Sequence, residues 1–505
     1  MRAQRIHGNA PPTMPDSSFE AYRLLWCFQA LASAAIGGHD DAISLAHASL
    51  IAVVAATPSR PLWAAAAAVR VFSTVSKMPA VWDSTYWQLM TDAALLWCLA
   101  TSQPFARLQA TVRAQMAVFY AASALWKLNT SFLDPKTSCA SVFAAQHAAL
   151  YAPAAAPWAV AVAPAATLAV EALVAVALAL SPRAGGVLAL AFHGAICATP
   201  PPNNVATFAL SVAPQLALFA PRVDDALVRP ATAAAAAAAV AILRGATGPL
   251  APQRWASVAY VALLGPILRA LRRRGGDAPA RPNRVFVAAA VAYAATPCLG
   301  VLELGSPNMY ANLRSHGGGG NHLLLPTGLL PDFFRDAAGS VFFGGEVVVE
   351  ATTSASMRDA YPGDLTSTLE PPGVVDLLGA AGAPTRFFNA AKRRVLGFDG
   401  VAPADRAFAP FAVPALELRR AVADARGAGA FELTYARGDR RVAVSFDRGG
   451  AVARCRVAER GRRRDCADDE VALLPPPPYW ARKLLLYLPY PVLDGDGGEV
   501  TCFGP

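Results

Sequence analysis

Eleven apolar stretches follow one another through the N-terminal part of the chain, at about 20–37, 43–57, 61–76, 85–101, 106–127, 157–181, 184–200, 205–220, 231–246, 254–270 and 285–301. They are rich in Ala, Leu and Val, and short polar turns separate them. A straight crossing of a bilayer takes about 20 apolar residues, so several stretches are short for the task. The pattern predicts a multi-span α-helical membrane bundle of about 9–11 spans. Beyond residue 301 it changes to strand-like alternation, which predicts a mainly β extramembrane domain. SVFFGGEVVVEATT (340–353) reads as a hairpin about Gly344-Gly345. FELTYARGDRRVAVSFDRGGAVARCRV (431–457) reads as a three-strand meander turning at Arg437-Gly438-Asp439 and Arg448-Gly449-Gly450. The prolines at 475–478 end the sheet ahead of a last amphipathic piece, WARKLLLYLPYPV. The chain thus divides into a cytosolic tail (1–19), a polytopic domain (20–301), a Gly-rich connector (302–330) and a β-rich domain (331–505).

Composition supports the division. Of 505 residues, 55% are hydrophobic and only 16% charged, against about a quarter charged in a typical soluble domain. Mean hydropathy is +0.35. The net charge of +9 is carried by residues 1–301, and the remainder is close to neutral. No basic stripe alternates with stacking aromatics, so nucleic acid is not an expected partner. The N-terminus, MRAQRIHGNAPPTMPDSSFE, is polar and precedes no cleavable apolar core. Arginine clusters in one short loop, RALRRRGGDAPARPNR (269–284), which the positive-inside rule assigns to the cytosol. With eleven spans, that choice leaves the β-rich domain lumenal or extracytoplasmic.

The candidate chemistry lies in RAQMAVFYAASALWKLNTSFLD (113–134). Lys127 stands near the end of this apolar helix, where an ammonium either snorkels to water or serves a site. Desolvation favours its neutral form, which makes it a candidate base. Tyr120 and Ala124 share its helix face by the 3.6-residue period. Glu171 falls within an apolar stretch, and His193 falls on the next one after the turn Ser181-Pro182-Arg183. Lys127 and His193 are expected at matching depth in one cavity, as a base and its partner. Asp92 and Arg70 raise the same question and could simply pair across the bundle. Cys455 and Cys466 flank an arginine-rich loop and form a disulfide if the domain is on an oxidising side, with Cys502 left over. No GxxxxGK[ST], HExxH or GxSxG occurs, and two histidines without a third ligand give no metal site.

VRAQMAVFYAASALWKLN, a long loop, a Glu-bearing stretch with SPR and a stretch with FH together resemble the HTTM and vitamin K-dependent γ-carboxylase superfamily. The resemblance runs over about residues 20–325. The closer form is KLN…F…DP…SC, matched by Lys127-Leu128-Asn129, Phe132, Asp134-Pro135 and Ser138-Cys139. A second motif is matched by Met309, Tyr310, Asn312, Leu313, Arg314, Asn321 and His322. Animal carboxylases follow the Lys-Leu pair with an acidic residue and a tryptophan, where this chain has Asn129 and Phe132. The resemblance implies a base at Lys127 with His193, and a reduced, vitamin K-like quinone or another lipid-soluble molecule as its partner. It implies substrate contacts for Tyr120, Glu171, Arg314, Asn321 and His322, the last three capping the mouth of the bundle. A transporter lined by Glu171, Asp92 and Arg70, or a non-catalytic membrane scaffold, are the alternatives.

Overall fold

A computed structural model describes residues 17–37, 42–78, 83–152, 157–199, 205–222, 251–273, 280–300, 311, 313, 320–325, 344–360, 372–381, 410–485 and 490–491. Its first half is a helical body: α1 (Ser17–Gly37), α2 (Ala42–Ala56), α3 (Arg60–Lys77), α4 (Asp83–Ala100), α5 (Phe105–Trp126), the single turn α6 (Thr130–Leu133), α7 (Cys139–Tyr151), α8 (Pro157–Leu180), α9 (Pro182–Cys197), α10 (Val205–Ala217), α11 (Ala251–Arg272), α12 (Arg284–Ala294) and α13 (Thr296–Leu299). Side-chain oxygens of Ser59, Asn129, Ser138 and Asn283 accept from first-turn N–H groups of α3, α6, α7 and α12, as N-caps do. The turn from α8 to α9 is tight because Gly185 has no Cβ. An added one would lie 2.4 Å from the Leu178 nitrogen.

The expected multi-span bundle is not what these helices form. Among the described residues, only α8 is long and apolar enough to cross a membrane. The reason is visible helix by helix. α2, α10 and α12 have 15, 13 and 11 residues, too few for the hydrocarbon thickness. α3, α4, α5 and α11 are longer but more polar along their length, with Arg60, Arg70 and Lys77 in α3, Asp83 and Asp92 in α4, Arg107 and Arg113 in α5, and Arg269 and Arg272 in α11, against the single Glu171 of α8. Their apolar residues pack on one another in a core containing Trp63, Leu95, Phe119, Phe219 and Tyr260. The stretch 231–246 lies outside the described residues. The alternation of sides drawn from eleven crossings falls with the count.

The second half is built on a seven-stranded sheet in the order β6-β5-β4-β3-β1-β2-β7, with every pair antiparallel. Its strands are β1 (Glu346–Thr352), β2 (Phe411–Pro414), β3 (Phe431–Arg437), β4 (Arg440–Phe446), β5 (Val452–Glu459), β6 (Arg462–Asp465) and β7 (Tyr490–Pro491). Helices α14 (Ala355–Ala360), α15 (Pro372–Ala380), α16 (Ala415–Arg426) and α17 (Tyr479–Leu484) accompany it. Alternate residues Phe431, Leu433 and Tyr435 of β3, and Val442, Val444 and Phe446 of β4, pack with Leu418 and Val422 of α16, as the two-residue strand period requires. β3, β4 and β5 form the meander, turning at Gly438-Asp439 and between Phe446 and Val452. Of the hairpin expected about Gly344-Gly345, the first arm (340–343) lies outside the described residues and the second is β1. β1 pairs on its two sides with β2 and β3. Both glycines have φ near +80°, and their carbonyls accept from Arg437 and from the Ala415 N–H.

The halves touch. Leu378 of α15 is buried with Cys139, Val142 and Ala145 of α7 and Val160 of α8. Cys455 and Cys466 are disulfide-bonded across 11 residues, with Cα atoms 5.4 Å apart. Cys139 is also disulfide-bonded.

Candidate functional site

Lys127 caps the C-terminus of α5, so its side chain starts where the helix hydrogen bonds end. Its Nζ lies 2.9 Å from Glu171 Oε2 on α8, and it donates to Ser123 Oγ at 3.3 Å. The Phe132 ring centroid is 5.8 Å away. Lys127 is 3% and Glu171 6% exposed, so the ion pair is buried. The counter-charge corrects the picture of a bare amine: the cost of burying Lys127 is offset by a carboxylate 44 residues further along the chain.

The pair stands on the wall of a cavity of about 460 Å³ among α6, α7, α8, α9 and α10. Phe132, Phe143, Phe192 and Phe208 line it together with alanines of α7 and α8. At another part of the wall, His147 hydrogen-bonds Thr199 Oγ1 at 3.0 Å, joining α7 to the end of α9. Val162 lines the cavity and is also half exposed, so the space reaches the outer face of α8. That face is apolar from end to end, with Trp158, Val162, Val170, Leu173, Val176 and Leu180 exposed.

His193 is fully buried, but its partner is not Lys127. Its Nε2 shares a short hydrogen bond with the Tyr120 hydroxyl, and its ring packs on Phe192 and Phe208, two of the lining rings. It therefore stands behind the cavity wall. Burial pushes its pKa down to about 3, which keeps the imidazole neutral, and burial raises that of Tyr120 well above the usual phenol value. Arg70 and Asp92 pair at 3.0 Å. Trp26 Nε1 donates to Asp92 at 2.8 Å, and Arg70 donates to Gln29 at 2.9 Å. They close a polar contact between α1, α3 and α4 and do not line the cavity.

The Asn-His motif does reach this site. Asn129 and His322 form an isolated antiparallel bridge, with Thr130 N–H donating to the Asn321 carbonyl and Leu323 N–H to the Leu128 carbonyl. Asn321 Nδ2 donates to Asn129 Oδ1 at 3.2 Å and to Ser131 Oγ at 3.0 Å. His322 Nδ1 accepts from the Leu324 and Leu325 N–H groups. Its Nε2 therefore carries the hydrogen donated to the Leu125 carbonyl at 2.8 Å. Asn129 Nδ2 donates to the Trp126 and Ala311 carbonyls at 2.8 and 2.6 Å. The last turn of α5, orphaned in an isolated helix, is thus tied down on both sides of Lys127. Asn321 and His322 are supports of the lysine's backbone. Arg314 lies outside the described residues.

Asp83 was missed in the sequence, because an Asp-Ser pair opening an apolar run reads as a helix start. It is buried at the first turn of α4 and accepts from Ser84 N–H at 2.7 Å. Burial raises its pKa from 3.8 to about 7, against the lowering pull of that N–H and of Lys127. Between pH 4 and 7 the folded protein then holds a proton that the unfolded chain has lost, so stability falls as pH rises through this window. The expected slope is up to ~1.4 kcal/mol per pH unit. Asp83→Asn should flatten it, as read by urea unfolding of the purified protein at pH 5, 6, 7 and 8. Among the described residues, no three His, Cys, Asp or Glu side chains are grouped to hold a metal.

A family model described as a domain of unknown function (DUF8388) matches residues 320–483. The match opens at Gly320, beside the Asn-His motif, and takes in the sheet from β1 to β6. No curated protein and no solved structure matches the chain.

Proposed function

We propose that this protein binds a lipid-soluble molecule with an acidic hydroxyl, such as a reduced quinone, and takes up its proton at the Lys127–Glu171 pair. The observation that carries the reading is a buried ion pair on the wall of an apolar cavity of about 460 Å³. Apolar residues of similar volume would usually serve stability as well as a buried pair or better, so a pair opening onto a cavity points to ligand chemistry. The hydroxyl proton passes to the Glu171 carboxylate, and the oxyanion left behind is held by the Lys127 ammonium. Four phenylalanines enclose the ring. The resemblance of the Lys-Leu-Asn segment to the HTTM and carboxylase superfamily agrees with a lysine-centred proton transfer. The reading also places the outer face of α8 against lipid, which lets an apolar ligand enter past Val162.

The test is anaerobic titration of the full-length protein, purified in detergent, with 2-methyl-1,4-naphthoquinol. Wild type should show the red-shifted absorbance of the bound quinolate. Glu171→Gln should bind the quinol without that band, and Lys127→Met should give neither. No quinolate band in wild type, or an undiminished band in Glu171→Gln, would refute the proposal.

A further inference from the structure

The far edge of the sheet carries charge that the fold does not use. β6 is the terminal strand, paired with β5 on one side and, among the described residues, free on the other. Its sequence is Arg462-Arg463-Arg464-Asp465, exposed throughout. By register, Arg463 lies across from Ala458, Ala458 across from Arg441, Arg456 across from Ala443, and Arg454 across from Ser445. All of these residues share the face opposite the packed core, because Val442, Val444 and Val457 alternate with them on the core side. Four guanidinium groups therefore surround a floor of small residues.

Arg441 is neutralised by Glu350 at 2.6 Å. Arg454, Arg456 and Arg463 have no ion pair among the described residues, and neither does Arg462 on the other face. The hairpin that displays them is stiff. The Cys455–Cys466 disulfide closes its base, and Arg460-Gly461 at its tip have φ of 48° and 79°, the left-handed pair of a two-residue hairpin turn. Charge on an edge strand commonly serves to block pairing. Blocking needs only a charge or two, whereas this edge sets Arg454, Arg456 and Arg463 against the single carboxylate of Asp465, which lies across from Arg456, beside a row of free backbone groups on a pre-stiffened support.

We infer that this edge is a docking site for an acidic, extended polypeptide segment, which adds as a strand beside β6. The partner's backbone pairs with the free N–H and C=O groups of β6. Acidic side chains at alternate positions fall on one face, next to Arg463 on β6 and facing Arg456 and Arg454 on β5 behind it. This surface is separate from the Lys127 cavity and does not depend on the reading of that site.

The experiment uses the full-length protein in detergent and a fluorescein-labelled peptide alternating Glu and Val, with binding read by anisotropy. Expected results are saturable binding that weakens with added salt, and a loss of at least about tenfold in Arg456→Glu/Arg463→Glu, where like charges face the ligand. N-methylation of alternate peptide amides should weaken binding to a similar degree. Undiminished binding of the N-methylated peptide would reduce the site to charge alone and overturn strand addition, as would no binding of the parent peptide. Binding to phosphatidylserine vesicles in place of the peptide, abolished by the same two substitutions, would assign the surface to lipid and overturn the polypeptide. The substituted positions are exposed, and an unchanged unfolding midpoint confirms that the fold is intact.

Discussion

Lys127→Ala is expected to destabilise the protein by about 3–5 kcal/mol, the usual cost of stranding one member of a buried ion pair. Glu171 is buried and sits 2.9 Å from the ammonium, and the remaining neighbours cannot replace that charge. Ser123 Oγ only accepts from Lys127 itself, at 3.3 Å, and Phe132 offers only a ring face. Lys127→Met combined with Glu171→Leu should recover most of the loss, since neither charge is then left in the apolar wall. The double variant should still fail to hold the quinolate. Urea unfolding and the absorbance titration, run on the same three proteins, check this outcome. A single Lys127→Ala change that costs less than about 1 kcal/mol would mean that the pair is solvated in solution, as exposed pairs are.

Asn129→Ala should cost nearly as much without touching a charge. Its Nδ2 serves the Trp126 and Ala311 carbonyls, and its Oδ1 caps α6 through Phe132 N–H at 2.7 Å and accepts from Asn321. The residue is fully buried, so no water takes over those partners. Loss of a cap costs about 1 kcal/mol, and each stranded buried carbonyl about 1–3 kcal/mol more. A loss of about 3–4 kcal/mol is expected, with weaker quinolate absorbance because Lys127 stands two residues away. Asn129→Asp keeps the acceptor and lacks the donor, so it should fall between wild type and alanine. Equal stability of Asn129→Asp and Asn129→Ala would show that the cap contributes nothing.

The sequence made some of this legible and hid the rest for physical reasons. Lys127 and Glu171 each stood out as a charge in an apolar stretch, but which charge meets which depends on helix packing, and Lys127 was paired with His193 instead. His193 finds Tyr120, which the helical period had placed on the lysine's own face, seven residues back. The meander from Phe431 to Val457 was readable because alternation and glycine turns are local. The pairing of β1 was not, since its partners β2 and β3 lie about 60 and 85 residues downstream. The span count failed for a related reason: an alanine-rich helix that buries its apolar face in protein has the same composition as one that faces lipid, and only the packing tells them apart.

The bridge between Asn129 and His322 also sets an order of events during synthesis. The residues that complete the end of α5 are made some 190 positions after it. At ~5–20 residues per second, the ribosome needs ~10–40 s to reach them. During that interval the Leu125 and Leu128 carbonyls lack their partners, His322 Nε2 and the Leu323 N–H, and the turn bearing Lys127 is unfinished. A nascent chain ending at residue 301 would carry every helix of the cavity wall and lack the strap that fixes its lysine.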